Sequence, residues 1–236
     1  MKKSILTLLL MLIIGMAASA RTYVLVTGVS HYENEAHNLQ QTTKDAKEFC
    51  KVMKTQTNDV TLLTSANADR QNIIDKLTLI CRRATAGDRV IFYFSGHGTT
   101  GAIITYDELL YYKDIIDIFK QSKAEDKIMM VDVCRAGSAA TGSGDYTLTG
   151  SDGIICFMSC RASETSAESS ILGAGYFTQG LIKGIRGKGD SDRDKQITVH
   201  ELFKYIHADV VKRSNGEQHP QLIAPKSALD KVIARW

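Results

Sequence analysis

Arg89-Val90-Ile91-Phe92-Tyr93-Phe94-Ser95-Gly96-His97-Gly98 decides the fold. Residues 90–94 are β-branched or aromatic without a polar break. Such a run reads as a strand buried on both faces, as a parallel sheet between two helical layers requires. A second run, Lys127-Ile128-Met129-Met130-Val131, leads into Asp132-Val133-Cys134-Arg135-Ala136-Gly137. Sheets of this kind carry their chemistry at the carboxyl ends of the strands. A His and a Cys delivered to one sheet edge form a candidate base and nucleophile.

Working outward, residues 23–29, 60–63 and 153–159 read as three further strands. Helical spacing of apolar residues predicts helices over 38–55, 106–120, 176–185 and 198–212, and another from an Asp69 cap through Arg83. Alternating strands and helices imply an α/β, three-layer sandwich with a mainly parallel central sheet. The segment 137–152 is rich in Gly, Ser and Thr and reads as a mobile surface loop over the reactive edge.

Lys2-Lys3, the apolar run 5–17 and Ala18-Ser19-Ala20 have the pattern of an export signal. The expected organisation is a signal peptide over 1–20 and one domain over 21–236, exported to the periplasm or the extracellular space. Losing Lys2 and Lys3 takes the formal charge from +3 to +1. A near-neutral chain has no electrostatic case for nucleic acid, or for a membrane surface after signal removal. The five cysteines, Cys50, Cys81, Cys134, Cys156 and Cys160, are an odd number for an exported chain, so at least one free thiol is expected. Cys50 and Cys81 fall on two predicted helices, as buried thiols or as a bridge.

Taken alone, Cys134 reads as a small buried hydrophobe and His97 as a loop residue. Together they end consecutive strands joined by what reads as one helical crossover, which returns the second strand parallel to the first. Gly96 and Gly98 permit a tight turn, and the backbone N–H groups of Gly98 and Cys134 are candidate oxyanion donors. His97 would raise the thiolate fraction of Cys134 or carry the proton to a leaving amine.

Ser95-Gly96-His97-Gly98 after one strand and Asp132-x-Cys134-x-x-Gly137 after the next resemble the caspase-like cysteine peptidases, and the acidic residue before the Cys resembles the metacaspases. The likeness covers nearly the whole predicted mature chain. It extends to Asp45-Ala46, although Lys44 stands where the family carries Asn, and to Gly175-Tyr176-Phe177-Thr178. The resemblance implies a caspase-like fold, a His97–Cys134 dyad, and a primary specificity pocket formed by Asp45, Ser95 and Asp132. Two carboxylates in one pocket suit a guanidinium or ammonium. The expected substrate is therefore a peptide or protein cut after Arg or Lys. Against this, Asp45 could cap or pair on a solvated helix face, and Asp132 could satisfy turn amides. Residues 137–152 contain no Lys or Arg, so self-cleavage would fall elsewhere, such as Arg135, Arg161, Lys188 or Arg193.

The stretch Asp190-Ser191-Asp192-Arg193-Asp194-Lys195-Gln196-Ile197-Thr198-Val199-His200-Glu201 fits a twelve-residue calcium loop. Asp190, Asp192, Asp194 and Glu201 would be ligands, with the backbone carbonyl of Gln196. Lys195 occupies the position where such loops need Gly. The competing reading is an acidic loop in which Thr198 and Glu201 form a helix capping box. No cofactor is needed for the chemistry itself; calcium would be structural or activating. Two rival functions stand beside the peptidase. One is a catalytically silent caspase-like binding module, although both dyad residues are present. The other is a flavodoxin-like ligand binder, for which Gly28-Val29-Ser30-His31 lacks the phosphate-cradling glycines.

Overall fold

The computed structural model describes residues 20–134, 136–141, 147–163 and 174–236. The predicted signal segment and Arg135 therefore lie almost wholly or wholly outside the described residues. A six-stranded sheet forms the centre, in the order β10-β8-β7-β3-β1-β2. Its strands are β1 (Thr22–Gly28), β2 (Val60–Thr64), β3 (Arg89–Ser95), β7 (Asp126–Asp132), β8 (Ile154–Met158) and β10 (Gln221–Ile223). All neighbours pair in parallel except β10, which runs antiparallel to β8. Parallel strands buried on both faces explain the continuous apolar runs.

Alternate side chains divide between two cores. Val24, Val26, Ile91, Tyr93, Ile128 and Met130 pack under α1 (Thr42–Met53), α4 (Ala174–Lys183) and α5 (Val199–Arg213). Leu25, Phe92, Phe94, Met129 and Val131 face α2 (Arg70–Arg83) and α3 (Tyr112–Lys120). The three-layer sandwich follows directly from this alternation. Cys50 on α1 and Cys81 on α2 belong to opposite layers, and all five cysteines are buried and outside any disulfide among the described residues. A Cys50–Cys81 bridge is thereby removed.

The crossover between β3 and β7 differs from expectation. The predicted helix over 106–120 begins only at Tyr112. Residues before it form a three-stranded antiparallel sheet of β4 (Gly98–Thr99), β5 (Ala102–Ile104) and β6 (Leu109–Tyr111). Gly101 takes φ 79° at the first turn, and Thr105 Oγ1 donates to the Glu108 carbonyl at the second. Leu109 and Leu110 suited a helical stripe equally well, because a short apolar run does not reveal its period. The predicted helix over 38–55 likewise starts at Thr42, where Thr42 Oγ1 donates to the Val29 carbonyl and ties the loop back to β1.

The described part of segment 137–152 is not a loose surface loop. Ser138–Thr141 is one helical turn, Ala136 and Leu148 are buried, and the Leu148 N–H donates to the Ala139 carbonyl. Two short strands that the sequence pattern missed, β9 (Gln196–Thr198) and β11 (Val232–Arg235), pair in a separate ribbon.

Candidate active site

Register brings the site together. Gly28 pairs with Ser95 and Ser95 with Asp132, so β1, β3 and β7 end level at one sheet edge. Ser95 and Asp132 continue the alternation of Tyr93 and Met130, which places both on the α1 side. His97 and Cys134 lie in the turns just beyond. Gly98 packs against the second turn so closely that a Cβ there would meet Val133 Cγ2 at 2.6 Å and the Cys134 carbonyl at 2.9 Å. The Val133 peptide is held from its other side by Ser159 Oγ, which accepts from Val133 N–H at 3.1 Å and donates to its carbonyl at 2.8 Å. The two predicted oxyanion residues, Gly98 and Cys134, therefore sit against each other.

His97 is clamped from the loop after β1. Its backbone N–H donates to the Tyr32 hydroxyl at 2.7 Å, and the two rings lie 5.1 Å apart. Its Nε2 meets the His37 carbonyl at 2.9 Å. A carbonyl only accepts, so Nε2 carries the hydrogen and Nδ1 keeps the lone pair. Burial lowers the His97 pKa, and the nearby His37 lowers it further against the opposing carbonyl contact. These surroundings favour the neutral imidazole over the charged form. Tyr32 is itself buried. Its phenol is pushed above its ordinary range, first by that burial and also by the Cys134 thiol, although its bond to His97 opposes this. Cys134 is 9% exposed.

The three predicted pocket residues converge with unmet polar atoms. Asp132 is 1% exposed, Ser95 0% and Asp45 8%. Asp132 Oδ2 accepts from Thr178 Oγ1 at 2.6 Å and from Thr178 N–H at 3.2 Å, which fixes the carboxylate against α4. Asp132 Oδ1, Asp45 Oδ2 and Ser95 Oγ are buried without a hydrogen-bond partner among the described residues. Burial raises the Asp132 pKa well above its ordinary value, and the Asp45 charge adds to this while the Thr178 bonds oppose it. Burial likewise raises Asp45 to about 6, against the pull of Lys44. Two buried carboxyl groups that repel each other and keep open acceptors carry an electrostatic cost that nothing among the described residues relieves. Neither alternative for these residues matches the geometry, since Asp45 faces inward and Asp132 bonds α4 rather than its own turn.

The acidic loop folds as the sequence spacing suggests, but only in part. Asp190, Asp192 and Asp194 offer carboxylate oxygens all within 4.8 Å of one another. Lys195 adopts φ 64°, the left-handed conformation that position requires. This all-oxygen, acidic set fits a hard cation such as calcium. Glu201 does not join it. Glu201 Oε1 accepts from Ser191, and Oε2 accepts from Thr198 in a complete capping box. Gln196, whose backbone carbonyl was the expected fifth ligand, opens β9.

Sequence reasoning missed Tyr32, the His37 carbonyl, Ser159 as a brace and Thr178 as the partner of Asp132. Thr178 lay inside a recognised motif; a backbone acceptor such as His37 carries no side-chain signal. No helix among the described residues is long and apolar enough to cross a membrane.

Comparison with known proteins agrees with this fold. A crystal structure of a protein from Geobacter sulfurreducens superposes with a TM-score of 0.64 at 15% identity, covering 89% of this chain and 97% of that one. A probable protease from a Desulfuromonadales bacterium is 25% identical over 179 residues, which are 62% of this chain and 22% of that protein. This chain thus spans about a fifth of that relative's length. A caspase-domain family model matches residues 21–229, and the chain belongs to this family of peptidase domains.

Proposed function

We propose that this domain is an exported cysteine endopeptidase of the metacaspase type that cleaves polypeptides after Arg or Lys. The observation that carries the specificity is the trio of buried, unpartnered atoms Asp45 Oδ2, Ser95 Oγ and Asp132 Oδ1. A guanidinium fork supplies donors to both carboxylates, and a Lys ammonium supplies fewer from one point.

In the proposed reaction His97 Nδ1 takes the proton of the Cys134 thiol, and the sulfur bonds to the carbonyl carbon of the scissile peptide. The backbone amides of Gly98 and Cys134 stabilise the resulting oxyanion. The carbon–nitrogen bond then breaks as His97 returns its proton to the leaving amine. Water, deprotonated by His97, cleaves the thioester and frees Cys134. Lys2-Lys3 and the apolar stretch that follows support export before this chemistry begins.

Fluorogenic peptides ending in Arg, Lys or Asp test the reading. Arg and Lys peptides should be cleaved, with Cys134→Ala inactive and Asp132→Ala losing the basic preference. A preference for Asp peptides refutes the pocket; activity in Cys134→Ala refutes the dyad.

The converging carboxylates of Asp190, Asp192 and Asp194 support calcium as a structural ligand of the loop. Calcium at millimolar concentration should raise the melting temperature of the parent and not of Asp192→Ala. No shift in the parent removes the site.

A further inference from the structure

A second recognition surface lies on the outer side of α1. Lys44, Lys47, Lys51 and Lys54 recur at helical spacing and are all exposed, so they form one stripe. The stripe is one wall of a groove of about 640 Å³. Leu62 of β2, an edge strand of the sheet, lines it too, with Ser30 and His31. Glu48 is the acidic residue in the lining, and it is engaged by Lys51 at 2.5 Å. Lys44, Lys47 and Lys54 form no ion pair among the described residues.

The helix itself explains only part of the stripe. Cations suit the carboxyl-terminal turn of a helix, which accounts for Lys51 and Lys54. Lys44 and Lys47 lie in the amino-terminal half, where the helix dipole opposes them, and like charges three or four residues apart repel. Asp45 and Glu48 attract Lys44, and Glu48 pairs with Lys51, so four exposed lysines on this face meet one exposed-side carboxylate and leave the groove net positive.

We propose that this groove binds an extended acidic segment of the polypeptide substrate, as a docking site beyond the residue that enters the basic pocket. Chain continuity favours this occupant. Ser30 and His31 directly precede Tyr32, which clamps His97, and Lys44 directly precedes Asp45 of the pocket. A polypeptide held at the sheet edge reaches the groove without leaving the protein surface. The exposed Leu62 and the outer edge of β2 suit a peptide backbone and its apolar side chains. The basic residues are all lysines, so the forked arginine geometry used for phosphates is missing.

The inference rests on the endopeptidase reading, but its test is independent of catalysis. Fluorescence anisotropy on full-length Cys134→Ala would follow two peptides that contain no Arg or Lys, one carrying four consecutive Glu and one with Gln in their place. The acidic peptide should bind at least tenfold more tightly than the Gln peptide at low salt. Lys47→Gln, Lys51→Gln and Lys54→Gln combined should weaken it about tenfold, since each exposed ion pair contributes roughly a factor of two. Equal binding of the two peptides overturns the proposal, as does undiminished binding in the triple variant. Tighter binding of a single-stranded oligonucleotide of equal charge overturns the assignment to polypeptide. Acid-dependent binding without Arg cleavage would leave the groove standing and sink the specificity reading.

Discussion

Asp45→Asn separates a cation pocket from a structural carboxylate. Burial lifts this carboxyl from 3.8 to about 6, and its Oδ2 has no partner among the described residues. A carboxyl whose pKa is higher in the folded than in the unfolded chain binds extra protons in the folded state. Its penalty is absent below 3.8 and grows as pH rises to about 6. At neutral pH the full shift corresponds to about 3 kcal/mol, at roughly 1.36 kcal/mol per pKa unit. Two effects reduce the gain on substitution. The Asn amide remains a buried polar group, and Asp45 lies in the first turn of α1, where negative charge is favoured. A net gain of about 1–2 kcal/mol remains, worth roughly 3–6 °C in a domain of this size. Asp45→Asn should therefore melt higher than the parent at neutral pH, and this advantage should vanish near pH 3.8. The same substitution should lower kcat/KM for an Arg peptide by about 10–100-fold, because a charge-assisted hydrogen bond contributes roughly 1.5–3 kcal/mol. Thermal melting across pH and hydrolysis of a fluorogenic Arg peptide measure both. A lower melting temperature at neutral pH, as loss of a cap or ion pair would give, refutes the reasoning. So does unchanged Arg hydrolysis.

Three further substitutions probe how the site is held. Gly98→Ala puts a Cβ 2.6 Å from Val133 Cγ2 and should force the His97 and Cys134 turns apart; a misplacement near 1 Å costs about a hundredfold in kcat, and unchanged steady-state rates would refute the close packing. Tyr32→Phe keeps the ring against His97 but removes the acceptor of its backbone N–H, so kcat should fall about tenfold with KM little altered. Asp126 receives Arg89 at 2.7 Å and Lys231 at 2.5 Å; burial alone would raise its pKa, but these two cations hold it below 3.8. Its contribution is present above its unfolded pKa and is lost as pH falls through the lower folded value. Asp126→Asn should cost about 2–4 kcal/mol in urea unfolding at neutral pH. Stability equal to the parent would show that the network contributes nothing.

The sequence by itself determined the five parallel strands of the sheet and the identity of the candidate chemical groups. Residues 90–94 and 128–131 are apolar at every step, and their shortness, β-branched and aromatic content and following turn residues mark strands covered on both faces. The Ser95–Gly98 and Asp132–Gly137 motifs follow these runs directly, so strand ends and reactive residues were legible together. Asp69 as a helix cap and Thr198 with Glu201 as a capping box were also readable, because capping depends on neighbours three residues away.

What depends on distant partners was decided only by tertiary structure. The hairpin sheet before α3 looked helical, because local periodicity cannot distinguish the face a short apolar run will bury. Glu201 had ligand spacing, yet its two oxygens were taken by Ser191 and Thr198. The state of the pocket was invisible as well. Asp132 and Ser95 pair across β7 and β3, Thr178 arrives from α4, and Asp45 arrives from α1. Each is an ordinary polar residue in its own segment. Packing buries all of them at once and leaves three of their atoms without partners among the described residues, and that burial is why the proposed pocket would favour a positive charge.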